Sequence, residues 1–216
     1  MKDKLLTGLM GFFIAILIIT FSIGLPIYVR PFYYYQVDAL DIPAYSGADK
    51  ETIIEAYDEL LDYLTVPGSE FSTGDFKYSE SGKSHFVDCK VLFDLNLYAF
   101  IISLLGILVL TVLSLVGVFE VGHPFSMNVG FSSGLFTLLG FGAIGGLVAA
   151  DFSKAFTIFH TIFFPGKTNW YFSWYEDEII RILPQDFFMN CAILIFVSIV
   201  TLCLFAMAQG IVTKDK

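Results

Sequence analysis

The sequence predicts an all-α membrane protein: four transmembrane helices with a small mixed extracellular cap. Three observations carry that prediction. Of 216 residues, 56% are hydrophobic and 15% are charged, where a soluble domain carries about 25% charged residues. Mean hydropathy is +0.73. Four charge-free apolar runs, residues 5–29, 97–119, 130–150 and 187–212, each cross a hydrocarbon core of about 30 Å at about 1.5 Å per helical residue.

The first segment, 1–29, opens with Lys2 and Lys4 and could be taken for a secretory signal. Its apolar run exceeds the usual signal core of about 7–15 residues and no A-x-A-like cleavage site follows, so it reads as an uncleaved span. Residues 30–96 form an acidic cap. Within it Asp49 is placed to cap a helix on which Ile53, Ile54, Tyr57, Leu60, Leu61 and Leu64 recur at helical spacing, and Pro67-Gly68 ends that helix. Glycine, serine and aromatic residues then alternate through 71–85, a pattern of short strands and turns. A piece this small buries little core alone and must lean on its surroundings. The second span, 97–119, leads through a turn at 120–129 into the third, 130–150, where Gly130, Gly134, Gly142 and Gly146 make two small-xxx-small steps suited to close helix packing. An aromatic-rich segment, 151–186, completes the cap, and 187–216 holds the fourth span and a tail. An even number of spans, with Lys2, Lys4, Lys214 and Lys216 at the outermost ends, places both termini in the cytoplasm and both cap segments outside.

Composition also excludes whole classes of function. A net charge of -9 offers no basic face to neutralise phosphates, which argues against nucleic acid. Cys89, Cys191 and Cys203 are too few and too scattered for a disulfide scaffold or a thiolate zinc site. The spans contain no ionisable residue of the kind a transport path needs.

Polar and titratable residues instead gather near the outer ends of the spans: His85, Asp88, Lys90, Asp94 and Asn96, then Asp151, Lys154 and His160, then Asp186 and Asn190. A site there would suit a substrate with an apolar tail and a polar head. Phe152, Phe156, His160 and Phe163 or Phe164 fall on one helical face. The run reads either as an interfacial aromatic belt or as an aromatic pocket around a general base, with Trp170 following. His85 is either a solvated cap histidine or a catalytic one whose ring Asp88 orients from i+3. No G-x-S-x-G elbow supports a serine nucleophile, and no HExxH-like spacing supports a metal on His85, Asp88 and His160. Cys89 as an acyl-carrying nucleophile has only Lys90 beside it to lower its pKa, and His123 reads as a loop residue.

Ser84-His85-Phe86-Val87-Asp88-Cys89-Lys90-Val91-Leu92-Phe93, together with Phe156-Thr-Ile-Phe-His160-Thr-Ile-Phe-Phe164, Trp170 and Asp177-Glu-Ile-Ile-Arg-Ile-Leu-Pro184-Gln-Asp-Phe-Phe188, resemble the two signature blocks of the bacterial lipoprotein intramolecular transacylases. The order of spans and cap is similar over nearly the whole chain. The resemblance implies an acyltransferase of the Gram-positive plasma membrane with its active site at the extracellular leaflet. Its substrate would be a diacylglyceryl-modified lipoprotein held in membrane lipid. The sn-2 acyl chain would move to the α-amino group of the N-terminal cysteine, giving lyso-lipoprotein. The resemblance assigns catalysis to His85 and His160, with Asp88 orienting and Phe156, Phe163, Phe164 and Trp170 lining the substrate. Nucleophile and acyl donor both belong to the substrate, so no cofactor or metal is called for. Two rivals remain open at this stage: a phospholipid acyl hydrolase or transferase using the same histidines, and a non-catalytic membrane sensor or assembly protein.

Overall fold

In the computed structural model, described over residues 1–212, the chain is helical throughout and contains no strand among the described residues. Eight α-helices follow in order: α1 (Lys2–Tyr28), α2 (Arg30–Ala39), α3 (Ile42–Ser46), α4 (Lys50–Thr65), α5 (Glu80–Leu115), α6 (Val129–Ala150), α7 (Phe152–Phe163) and α8 (Gln185–Val212). Short 3₁₀ turns lie at Pro124–Ser126 and Glu178–Ile182. Helices α1, α5, α6 and α8 are long and apolar enough to cross a membrane.

The expected strands at 71–85 are overturned. Helix α5 already begins at Glu80, and the stretch before it is an irregular loop whose backbone is satisfied without a ladder. Glu59 accepts a hydrogen bond from Gly74 N at 3.0 Å, and Phe76 N bonds Thr73 O at 3.1 Å. The aromatics that suggested alternation point into one cluster instead: Phe71 meets Tyr63 at 5.0 Å and Tyr78 at 4.9 Å, both edge-on. A lone strand would have left its N–H and C=O groups without partners.

The chain divides into two compact units. The first takes in residues 1–23, 96–149 and the described residues from 194 onward. Its buried core is small, with Ile18, Ile199 and Cys203 at the centre and Ile14, Leu138, Phe141, Ile195 and Leu202 around them. Large apolar side chains such as Phe12, Leu105, Leu108, Leu139, Leu147 and Phe205 face outward, which is stable only against lipid tails. Polar groups in this unit bond locally or across helices: Ser22 Oγ meets Ser198 Oγ at 3.0 Å, and Asn96 Nδ2 donates to Thr20 O at 3.2 Å. The glycine steps of α6 are used in part. Gly130 and Gly134 lie against the α8 backbone at Ala206 and Cys203, whereas Gly142 and Gly146 face open space.

The second unit, residues 24–95 and 150–193, has an ordinary protein core. Tyr33, Val37, Ile42, Ile53, Ala56, Ile179 and Ile182 are all fully buried. Tyr33 stacks on Tyr57 at 3.6 Å with Phe187 edge-on to it at 5.2 Å, and its hydroxyl donates to Ile182 O at 2.7 Å. Helix α4 buries Ile53, Tyr57, Leu60, Leu61 and Leu64, and Asp49 caps it by accepting from Thr52 N at 3.0 Å. Arg30 pairs with Asp58 and Asp62.

Helix α5 is 36 residues long, about 54 Å, well beyond one hydrocarbon thickness. Asp88, Lys90 and Asp94 occupy its first half, ahead of the apolar run from residue 97, so that half stands outside the spanning segment.

Candidate active site

The site lies wholly in the second unit and is built from three pieces: the start of α5, helix α7, and the loop from Phe164 to Asp177. Asp151 caps α7 by accepting from Lys154 N at 2.9 Å. The helix mixes aromatic and aliphatic residues with Ser153, Lys154, Thr157 and Thr161, and its one buried residue is His160. The loop is tied down by the buried carboxylate of Asp177. One oxygen accepts from Ser79 N at 2.8 Å and Ser79 Oγ at 2.7 Å, and the other accepts from Ser173 N at 2.9 Å. Gly82, in the first turn of α5, makes room for this: a Cβ there would collide with Asp177 Oδ1 and sit 3.0 Å from Phe172 Cε1.

These pieces bring His85 and His160 together, with ring centroids 5.7 Å apart. Both are buried, at 5% and 6% exposure, which removes the reading of His85 as a solvated cap residue. Aromatic rings enclose them. His160 stacks on Trp170 at 4.6 Å and touches Phe156 at 4.3 Å; His85 meets Phe164 edge-on at 4.8 Å and Phe172 at 5.5 Å. Of the residues expected to line the substrate, Phe156, Phe164 and Trp170 pack on the two imidazoles. Phe163 does not: it is 50% exposed and packs on Phe159 at 4.6 Å. Helix α7 ends at Phe163, and the chain turns Phe164 inward instead. Phe172 fills out the enclosure, and nothing in the loop's sequence periodicity marks it.

Hydrogen bonding distinguishes the two rings. His160 Nδ1 lies 2.7 Å from Phe156 O. A carbonyl can only accept, so Nδ1 carries the proton and Nε2 presents a lone pair. His85 Nε2 lies 3.3 Å from Cys89 Sγ, one helical turn away. Burial, reinforced by Asp88, pushes the Cys89 thiol up to about 12, so it stays protonated and is unsuited to act as an acyl carrier. Imidazole nitrogen is the better acceptor and the thiol the donor, which leaves the His85 proton on Nδ1. That atom is shielded and has no partner.

Burial holds both imidazoles neutral. It lowers His85 to about 4, with His160 adding to the effect and Asp88 opposing it. It lowers His160 as well, against the opposing bond to Phe156.

Asp88 does not orient the His85 ring, contrary to expectation. Its oxygens are taken by Lys167 Nζ and by Asn169 Nδ2, the latter at 2.9 Å. Burial alone would raise this carboxyl, but the Lys167 and Asn169 bonds outweigh it and hold it below the usual range. Asp88 therefore reaches His85 through charge and holds the loop to α5 through bonds. The set His85, Asp88 and His160 does not assemble into a metal-ligand cluster, and among the described residues no group of three His, Cys, Asp or Glu side chains does.

Four helices long and apolar enough to cross a membrane define a multi-pass membrane protein, and its second unit encloses a pair of imidazoles among aromatic rings. The model of the lipoprotein intramolecular transacylase Lit family matches residues 8–188. The chain belongs to that family and is an acyltransferase, a lipoprotein intramolecular transacylase. Among solved structures, the membrane integral lipoprotein intramolecular transacylase Lit from Bacillus cereus is similar at a TM-score of 0.87 and 25% identity, covering 99% of this chain and 97% of that one. Structures of the same Bacillus cereus protein carrying H85R and H85A are similar in fold, at TM-scores of 0.80 and 0.79 and identities of 23% and 24%. These cover 99% of this chain and 93% and 96% of theirs. None of the curated proteins compared with the chain matches it.

Proposed function

We propose that the enzyme moves the sn-2 acyl chain of a diacylglyceryl-lipoprotein to the α-amino group of the same N-terminal cysteine, with His160 as general base and His85 as hydrogen-bond donor to the oxyanion. The observation that carries this reading is the complementary pair of rings, one offering a lone pair and the other an unpaired N–H, 5.7 Å apart between centroids.

The α-amino group, with a reference pKa of about 7.7–8.0, is partly neutral near physiological pH and needs only a mild base. Its lone pair attacks the ester carbonyl carbon while His160 Nε2 takes one proton. Negative charge on the carbonyl oxygen is met by His85 Nδ1–H. A neutral imidazole is too weak an acid to give that proton away, so His85 serves as donor only. On collapse the C–O bond to glycerol breaks, and His160 returns its proton to the glycerol oxygen. The balance closes with no net proton change and no other reactant. Phe156, Phe164, Phe172 and Trp170 exclude water, which would otherwise compete with the amine.

We place this site at the outer leaflet, with both termini cytoplasmic. The even span count and terminal lysines support that orientation. Within the first unit Lys2 Nζ donates to Val118 O at 2.6 Å and Gly122 N to Thr7 Oγ at 2.9 Å, so the N-terminus and the chain around the 120–129 turn share one end, as an even span count requires.

Purified enzyme incubated with a synthetic diacylglyceryl lipopeptide tests the reading. The product should have unchanged mass, with fragment ions placing one acyl chain on the cysteine nitrogen. Loss of an acyl chain as free fatty acid would identify a hydrolase instead.

A further inference from the structure

Among the described residues, two side-chain polar atoms are shielded from solvent and unpaired, His85 Nδ1 and Asn169 Oδ1. The mechanism above uses the first. The second is left over, and its orientation is not arbitrary. Asn169 Nδ2 donates to Asp88 Oδ2 at 2.9 Å and to Ser84 Oγ at 3.3 Å. The Asp88 carboxylate, paired with Lys167, can only accept, so the amide must turn its nitrogen toward it and its oxygen away. A buried acceptor with nothing to accept is unfavourable unless a ligand supplies the donor.

Asn169 adjoins the elements that carry the two imidazoles. Ser84 and Asp88, which it touches, precede and follow His85 on α5, and the next residue, Trp170, stacks on His160. We infer that Asn169 Oδ1 accepts a hydrogen bond from the α-amino group of the lipoprotein substrate and fixes the direction of its lone pair. The inference rests on the transacylase reading. A neutral primary amine has two N–H groups and one lone pair, and each now has a destination. The lone pair forms the new C–N bond to the acyl carbon, one proton passes to His160 Nε2, and the second N–H stays on nitrogen against Asn169 Oδ1. The product amide keeps that N–H, so the same bond serves substrate and product. Asp88, Lys167 and Ser84 are positioning residues in this scheme, because they act through the amide they orient.

The test uses the full-length purified enzyme and two unreactive ligands, diether analogues of the lipopeptide that differ only in carrying an α-amino group or a hydrogen at that carbon. Wild type should bind the amino ligand about tenfold more tightly. Asn169→Leu should reduce that preference to less than twofold. Asn169→Gln keeps the amide, with a donor for Asp88 and an acceptor beside it, and should retain a preference above twofold, which covers the case in which the leucine variant fails to fold. A merely structural asparagine would weaken both ligands alike and leave the preference intact. That outcome in Asn169→Leu, equal binding of the two ligands by wild type, or loss of preference in Asn169→Gln would each overturn the inference. Conversion of the ester lipopeptide by wild type is followed in parallel. If wild type makes lyso product while Asn169→Leu keeps its preference, only the inference fails; if wild type makes none, the transacylase reading fails with it.

Discussion

Gly134 in the first unit and Gly82 in the second both sit where a Cβ has no room, yet the groups they admit differ. At Gly134 the neighbour is backbone: a Cβ would stand 2.8 Å from Cys203 O on α8. At Gly82 the neighbours are the side chains of Asp177 and Phe172, from the loop beside the histidines. In lipid, apolar surface gains nothing by being buried, so helices associate through close backbone approach and shape. In the second unit, burial from water drives packing, and small residues are free to admit polar groups that hold a loop. The contrast teaches where chemistry can be built in a chain made only of helices. The first unit leaves large apolar residues outward and bonds its hydroxyls within a helix or to a neighbouring element, while the second encloses titratable groups among rings.

The sharpest way to break the contrast is to remove the histidines. His160→Ala should lower lyso-lipopeptide formation by about 10²–10⁴-fold, the usual range for a general base, and His85→Ala by about 10²–10³-fold, as for one oxyanion donor. Both variants should remain inserted and folded, since neither ring supports the main core. Lipopeptide mass spectrometry decides the matter, and full conversion by either variant removes that ring from the mechanism.

Next in size is the glycine pair itself. Gly82→Ala should cost about 10²-fold in turnover, because displacing Phe172 and Asp177 shifts the walls around the rings by a fraction of an ångström to an ångström. Gly134→Ala should instead destabilise the folded protein by about 1–3 kcal/mol through overpacking and leave turnover per folded molecule unchanged. Thermal unfolding in detergent read beside activity separates the two; equal effects on both quantities would erase the distinction between the units.

Asp88→Asn should have a smaller effect, about a tenfold loss of turnover, since the Lys167 pair is lost while the loop retains its Asp177 anchor. A loss as large as that of His85→Ala would mean that Asp88 does more than hold the loop.

The smallest effect concerns pH. Burial lowers the His85 ring to about 4 in the folded protein, against its ordinary value of 6.5 in the unfolded chain. As pH falls below 6.5 the unfolded chain takes up a proton that the folded site refuses, so stability declines from about pH 6.5 to about pH 4 and the decline is complete below that. His160, also lowered by burial, acts in the same direction. Replacing His85 by Gln should flatten the dependence of the unfolding temperature over that range; an unchanged slope would mean that the ring is not kept neutral by burial.

Local pattern made much of this molecule readable. Charge-free runs of adequate length can only be helices in a bilayer, where no water satisfies an open backbone. Helix α4 announced its cap at Asp49 and its buried face at Ile53, Tyr57, Leu60, Leu61 and Leu64, because a 3.6-residue period writes burial directly into residue order. Phe156 and His160 were legible for the same reason. The stretch 71–85 was misread because its aromatics obey no period; they are recruited to one cluster by packing partners from α4 and α5. Phe163 was misplaced because the end of α7 depends on a turn and not on spacing. Cys89 lay in plain view at i+4 from His85, but its part in setting a tautomer depends on burial, which sequence does not display.

Residue order alone therefore settled the spans, the helix faces and the kinds of side chain available for acid–base chemistry, since these follow from covalent geometry and from the cost of exposing or burying each group. The meeting of His85 with His160, 75 positions apart, and the grip of Asp88 on Asn169, 81 positions apart, came from folding. Such contacts have no period to betray them: they exist because a buried Asp177, a permissive Gly82 and a wall of rings close one particular loop against one particular helix.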